Sequence, residues 1–96
     1  MKLLTCIIRK RQTDKTFPSK DGKPASRIFV FDAFETDFDG ARVPCSLETY
    51  DADVCDFLEN QQTDVPIYVP FVSDREYRGK HQYNVSKDVL HPSLNQ

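Results

Sequence analysis

Two stretches of this 96-residue chain set cations beside aromatic rings. The first, "RKRQTDKTFPSKDGKPASR", carries Arg9, Arg11, Lys15, Phe17, Lys20, Lys23 and Arg27; the second, "DREYRGKH", carries Arg75, Tyr77, Arg78, Lys80 and His81. A single nucleic-acid strand needs both kinds of group. Its phosphates require a line of positive charge, and each unstacked base gains about 1–3 kcal/mol by lying on an aromatic face. Duplex recognition needs a helix or ribbon fitted to a groove, and the one helical stretch here is acidic. Single strands are therefore the expected ligand, DNA with RNA also possible, because recognition of a 2′-hydroxyl leaves no readable motif.

Catalysis is not expected. Asp51, Asp53 and Asp56 are accounted for by helix capping and a solvated face, and neither His81 nor His91 falls in a catalytic motif with a Cys or Ser nucleophile. With three glycines in the whole chain there is no glycine-rich phosphate loop. Cys6, Cys45 and Cys55 show no CxxC spacing, and an odd count cannot close a disulfide framework. They are expected as reduced thiols packed as small hydrophobes. No metal site and no cofactor are expected.

The net charge of −2 argues against a polyanion binder only on average, because the charges are segregated. Residues 1–31 hold eight Lys/Arg against Asp14 and Asp21, a balance of +6; residues 32–64 hold ten acids against Arg42, a balance of −9; residues 65–96 come to +1. Such a chain can present one basic and one acidic surface. It has no apolar run of membrane-spanning length and no leader pattern, so a soluble, cytoplasmic protein with no membrane partner is expected.

Residues 2–11, rich in Ile and Leu, suggest a first strand, followed by a loop over 12–24 stiffened by Pro18 and Pro24 around Asp21-Gly22. Residues 26–38 form a long strand. Phe29 and Phe31 share one of its faces, and Ile28, Val30, Phe34 and Phe38 begin on the other; one face must pack inside, and the second either packs too or stays open as a stacking platform. Asp39-Gly40 predicts a hairpin into a strand over 42–50, with Pro44 at an edge or bulge. Val54, Phe57 and Leu58 at i, i+3 and i+4 predict a short helix over 51–60, capped by Asp51 or Asp53. A strand over 65–73 with Val65, Ile67, Val69 and Phe71 on one face, a turn at Arg78-Gly79-Lys80 and a last strand over 82–90 complete one domain, residues 1–90, before a polar tail, 91–96. Phe17, Tyr77 and Tyr83 have polar neighbours and are expected as the exposed aromatics, although a tyrosine on a last strand often closes a barrel core with its hydroxyl at the rim. Five strands with one short helix between strands 3 and 4 is the order of a mainly β, OB-fold-like barrel, whose binding face lies over strands 2 and 3 between the first and last loops, with an open α+β sandwich as the alternative.

At residues 19–26, "SKDGKPAS" resembles the S-x-x-G-K-P-x-S segment in the first hairpin of filamentous-phage single-stranded-DNA-binding (helix-destabilising) proteins. Ser19, Gly22, Lys23, Pro24 and Ser26 carry the match, over roughly a tenth of the chain. The resemblance implies a homodimer that coats single strands cooperatively during replication, in the host cytoplasm, without catalysis, metal or cofactor. That family commonly has a stacking tyrosine after the proline, where this chain has Ala25, so Phe17, Phe29 or Phe31 would have to stack the bases. The other expectation is a protein-docking OB module, a replication accessory subunit whose acidic surface over 32–64 meets a basic partner such as a polymerase or primase.

Overall fold

The computed structural model describes residues 2–17, 22, 26–36, 39–62 and 65–91, the backbone alone at 10–17 and 26. Along the chain come β1 (Lys2–Phe17), β2 (Ser26–Thr36), β3 (Arg42–Thr49), α1 (Ala52–Glu59), β4 (Pro66–Tyr77), β5 (Lys80–Val85) and a 3₁₀ turn at Lys87–Leu90. The strands close a barrel in the order β1-β2-β3-β5-β4. Every pairing is antiparallel except β3 with β5. This is the five-stranded, mainly β barrel with its helix between the third and fourth strands that the element order predicts.

Several boundaries differ from expectation; β4 runs on past 73 to Tyr77 and β5 begins at Lys80, so that Arg75, Tyr77, Lys80 and His81 stand on strands and only Arg78-Gly79 turns between them. β1 does not stop at residue 11 but stays paired with β2 out to Phe17↔Ser26, so the first six residues of the expected loop, 12–17, are strand. The backbone ladder holds the polar stretch extended although its side-chain pattern carries no apolar alternation. The last strand ends at Val85, not at 90. The Ser86 side chain accepts a hydrogen bond from the Asp88 amide at 3.1 Å and turns the chain into the 3₁₀ segment. Val65 lies outside β4 and is 43% exposed, so it does not join Ile67 and Val69 inside.

Residues on successive cross-strand rows fill the barrel. Phe31, Leu47 and Tyr83 form one such row through the Phe31↔Leu47 and Leu47↔Tyr83 pairings, and Ala33 and Cys45 form the next. Phe31, Leu47 and Val69 are fully buried, each worth about 1.5–3 kcal/mol of apolar burial. One end is stoppered by α1, whose Val54 and Leu58 join the core together with Val89 of the 3₁₀ turn. Asp51 starts that helix by accepting from the amides of Asp53 (2.9 Å) and Val54 (3.1 Å), which lowers its pKa, with the Lys87 ammonium at 3.2 Å lowering it further. No helix among the described residues is long and apolar enough to cross a membrane.

Candidate functional site

Two bulges decide which side chains reach the outer surface. Inward-facing Ile67, Val69 and Phe71 would, by strict alternation, carry Ser73 and Arg75 inward as well. The register slips between Phe71 and Ser73, so that Asp74 pairs with Tyr83 while Arg75 pairs with Gln82 and Tyr77 with Lys80. The bulge thereby turns Arg75 and Tyr77 onto the outside. In β1 the register slips between Ile8 and Lys10, leaving Arg9 without a partner residue in β2. Its guanidinium lies 5.2 Å from the centre of the Phe34 ring.

The outer face of β2 and β3 thus carries a groove of about 310 Å³ lined by Arg9, Asp32, Ala33, Phe34, Pro44 and Lys80. That volume is at the lower end of the roughly 300–1,000 Å³ of small-ligand sites. Phe34 and Pro44 pair across β2 and β3 and form an apolar wall. Lys80 reaches in from β5, its Nζ 3.2 Å from Asp32 Oδ1. Pro44 costs no ladder bond toward β5, because the β3–β5 pairing begins one residue later at Cys45↔His81.

Lys80 owes its position to a two-residue turn. Arg78 (φ 51°) and Gly79 (φ 76°) connect the Tyr77↔Lys80 pair, the positive φ at both central positions that a type I′ hairpin requires. Arg78 is the one non-glycine residue with positive φ among those described. Its guanidinium lies 5.3 Å from the centre of the Tyr77 ring, which is 57% exposed. The same outer face continues along the row Asp32, Ser46, Gln82, Arg75. There Arg75 is held by Gln82 Oε1 at 2.7 Å and Glu48 Oε1 at 3.4 Å.

The candidate residues therefore divide. Arg9 and Lys80 meet in the groove; Arg75, Tyr77 and Arg78 lie beside it on the β4–β5 hairpin. Phe31 is a correction: it is fully enclosed in the core and has no face to offer a base. Arg27 and Phe29 share Phe31's side of β2, opposite Asp32 and Phe34. Phe29 packs in part against the core with the Arg27 guanidinium 5.0 Å from its ring centre, so neither belongs to the groove. Arg11, Lys15 and Phe17 are placed by their backbone alone, in β1 opposite Phe31, Ile28 and Ser26 of β2. Lys20, Lys23 and Ala25 lie outside the described residues. The groove's aromatic is Phe34, and its carboxylate is Asp32. The alternation of Phe and Val along β2 pointed to a second apolar face, but not to which of its rings would stay half-exposed.

At the barrel end opposite α1 a polar chain closes the core. The Tyr83 hydroxyl donates to Glu35 Oε2, the His81 ring stacks on Tyr83 with centroids 4.3 Å apart, and His81 Nε2 lies 2.6 Å from Asp74 Oδ2. Burial and the Glu35 carboxylate raise the Tyr83 pKa well above the ordinary phenol value. Burial also pushes the Cys6 and Cys45 thiols up to about 12. A thiol so far from ionising is not a nucleophile at neutral pH. Among the described residues no group of three or more His, Cys, Asp or Glu side chains could hold a metal ion.

Comparison with protein-family models, with curated proteins and with solved structures returned no match for this chain.

Proposed function

We propose that the chain is a non-catalytic binder of single-stranded nucleic acid, DNA first, which it holds along the outer face of β2 and β3. The observation that supports this reading is the meeting, in one groove, of the Arg9 guanidinium from β1, over the Phe34 ring, and the Lys80 ammonium from the β4–β5 hairpin. Arg9 serves as phosphate anchor. Its guanidinium, 5.2 Å from the Phe34 ring centre, and that ring offer a base a sequence-tolerant partner. Tyr77 and Arg78 extend the same pairing of ring and cation along the hairpin.

The charge on this face is moderate because Asp32 and Glu48 sit beside Lys80 and Arg75. Binding should therefore rely on stacking as well as on counterion release. Titration of intrinsic tyrosine fluorescence with poly(dT) and poly(U), each at two salt concentrations, tests the proposal. The expected result is saturable quenching whose affinity falls log-linearly with salt; no binding of either polymer at low salt overturns it. A second reading rests on the exposed acids Asp53, Asp56 and Glu59 of α1, which suit a basic protein partner. A chain that only docks proteins would leave both polymers unbound.

A further inference from the structure

A carboxylate in a groove for polyanions repels phosphate, so Asp32 weakens binding unless it faces a base. We infer that the Lys80–Asp32 pair reads the Watson–Crick edge of a guanine, making the groove a guanine subsite on an otherwise sequence-tolerant strand. The inference rests on the proposed single-strand reading and adds a base preference to it.

The geometry is that of complementary hydrogen-bonding groups. Lys80 Nζ beside Asp32 Oδ1 presents a donor next to an acceptor, and Asp32 Oδ2 supplies a second acceptor. A carboxylate has about four acceptor sites, of which the ammonium takes one. Guanine offers the inverse row: the O6 acceptor, the N1–H donor and the N2 amino donor. The pair therefore imitates the edge of cytosine. Thymine and uracil present one N–H between two carbonyl oxygens, and the carboxylate repels those oxygens. Adenine and cytosine each offer an amino group beside an unprotonated ring nitrogen, so one carboxylate oxygen gains a bond while the other faces a lone pair. Phe34 lies two residues from Asp32 on the same face of β2, where the plane of a base stacked on the Phe34–Arg9 pair can bring its edge to the carboxylate.

The groups stand on strands rather than on a mobile loop. Asp32 is joined through Ser46 to Gln82 by successive cross-strand pairings, and its side chain is only 28% exposed. A reader fixed in this way discriminates because the wrong base leaves polar groups unpaired.

The test measures anisotropy with a series of labelled oligodeoxythymidines in which one central position is thymine, guanine, hypoxanthine, adenine or cytosine. A single guanine should tighten binding about tenfold over all-thymine, in line with the value of a bidentate base contact. Hypoxanthine, which lacks the N2 amino group, should lose most of that gain. Asp32→Asn should abolish the guanine preference, bringing the ratio of guanine to all-thymine affinity down to about one. Equal binding of all five oligonucleotides by the unaltered protein, or a preference for adenine or cytosine, overturns the guanine assignment and leaves the single-strand reading intact. Absence of binding to every member at low salt overturns both.

Discussion

Lys80 Nζ on β5 lies 3.2 Å from Asp32 Oδ1 on β2, a contact that spans the width of β3 and joins residues 48 apart in sequence. With both side chains about one-third exposed, such a pair adds at most about 1 kcal/mol to stability. On the proposed single-strand reading it also sets how much of the groove's charge each cation contributes. Arg9→Gln should reduce the slope of log affinity against log salt by about 0.7, the value of one single-strand phosphate contact. Lys80→Gln should reduce it by less, because Asp32 already neutralises part of that charge. Titrations at four or more salt concentrations measure both slopes, and equal slopes for the unaltered protein and Arg9→Gln would remove Arg9 from the phosphate path.

Phe34 and Phe31 make a contrasting pair. Phe34→Ala should cost about 1–3 kcal/mol of oligonucleotide affinity with little change in salt slope. Phe31→Ala should instead cost about 3–5 kcal/mol of folding stability, since it empties the centre of the barrel. Chemical denaturation alongside binding separates the two effects; full oligonucleotide affinity in a folded Phe34→Ala protein would exclude stacking on this ring.

Arg78 holds a left-handed backbone that costs a side-chain-bearing residue roughly 1–2 kcal/mol. Arg78→Asn places a residue suited to the first central position of a type I′ turn. It should stabilise the fold by about 0.5–1 kcal/mol while weakening oligonucleotide binding through loss of the Arg78–Tyr77 pair. A thermal melt and a titration on the same sample check the opposed signs.

Much of the barrel was legible because its signals are local. Asp39-Gly40, Arg78-Gly79 and the capped Val54/Leu58 stripe each mark an element by its own chemistry. The site was less legible. Alternation along β2 sorted Phe31 from Phe34 correctly into opposite faces, but which face the barrel encloses depends on closure between strands distant in sequence. Arg75 and Tyr77 reach the outside through a bulge at Val72, and no residue type there announces one. Pairing of Lys80 with Asp32 was equally invisible, since a charge count sees segregated blocks and not the contacts that fold them together.

The buried thiols make alkaline stability measurable. Cys6 and Cys45 titrate at about 12 in the fold against an ordinary value near 9.0, chiefly because burial disfavours the thiolate. Between those values the unfolded chain has released protons that the folded chain retains, so stability must fall as pH rises. The expected loss begins above about pH 9 and approaches roughly 1.4 kcal/mol per pH unit for each thiol. Denaturation curves at pH 8, 9 and 10 check the trend, and Cys45→Ala should shallow it. A flat profile would show that these thiols are not shielded from water.

The parallel ladder between β3 and β5 runs only from Cys45↔His81 to Glu48↔Asn84, whereas every other seam of the barrel is antiparallel. It also separates the parts of the groove: Asp32, Phe34 and Pro44 lie on one bank and Lys80 on the other. Whatever spans that divide works as a clasp, and a strand seated there makes the shortest suture in the barrel harder to pull open. On the proposed single-strand reading, amide hydrogens at residues 45–48 should accordingly exchange more slowly with an oligonucleotide bound, and closing the cylinder and gripping a strand would be a single act.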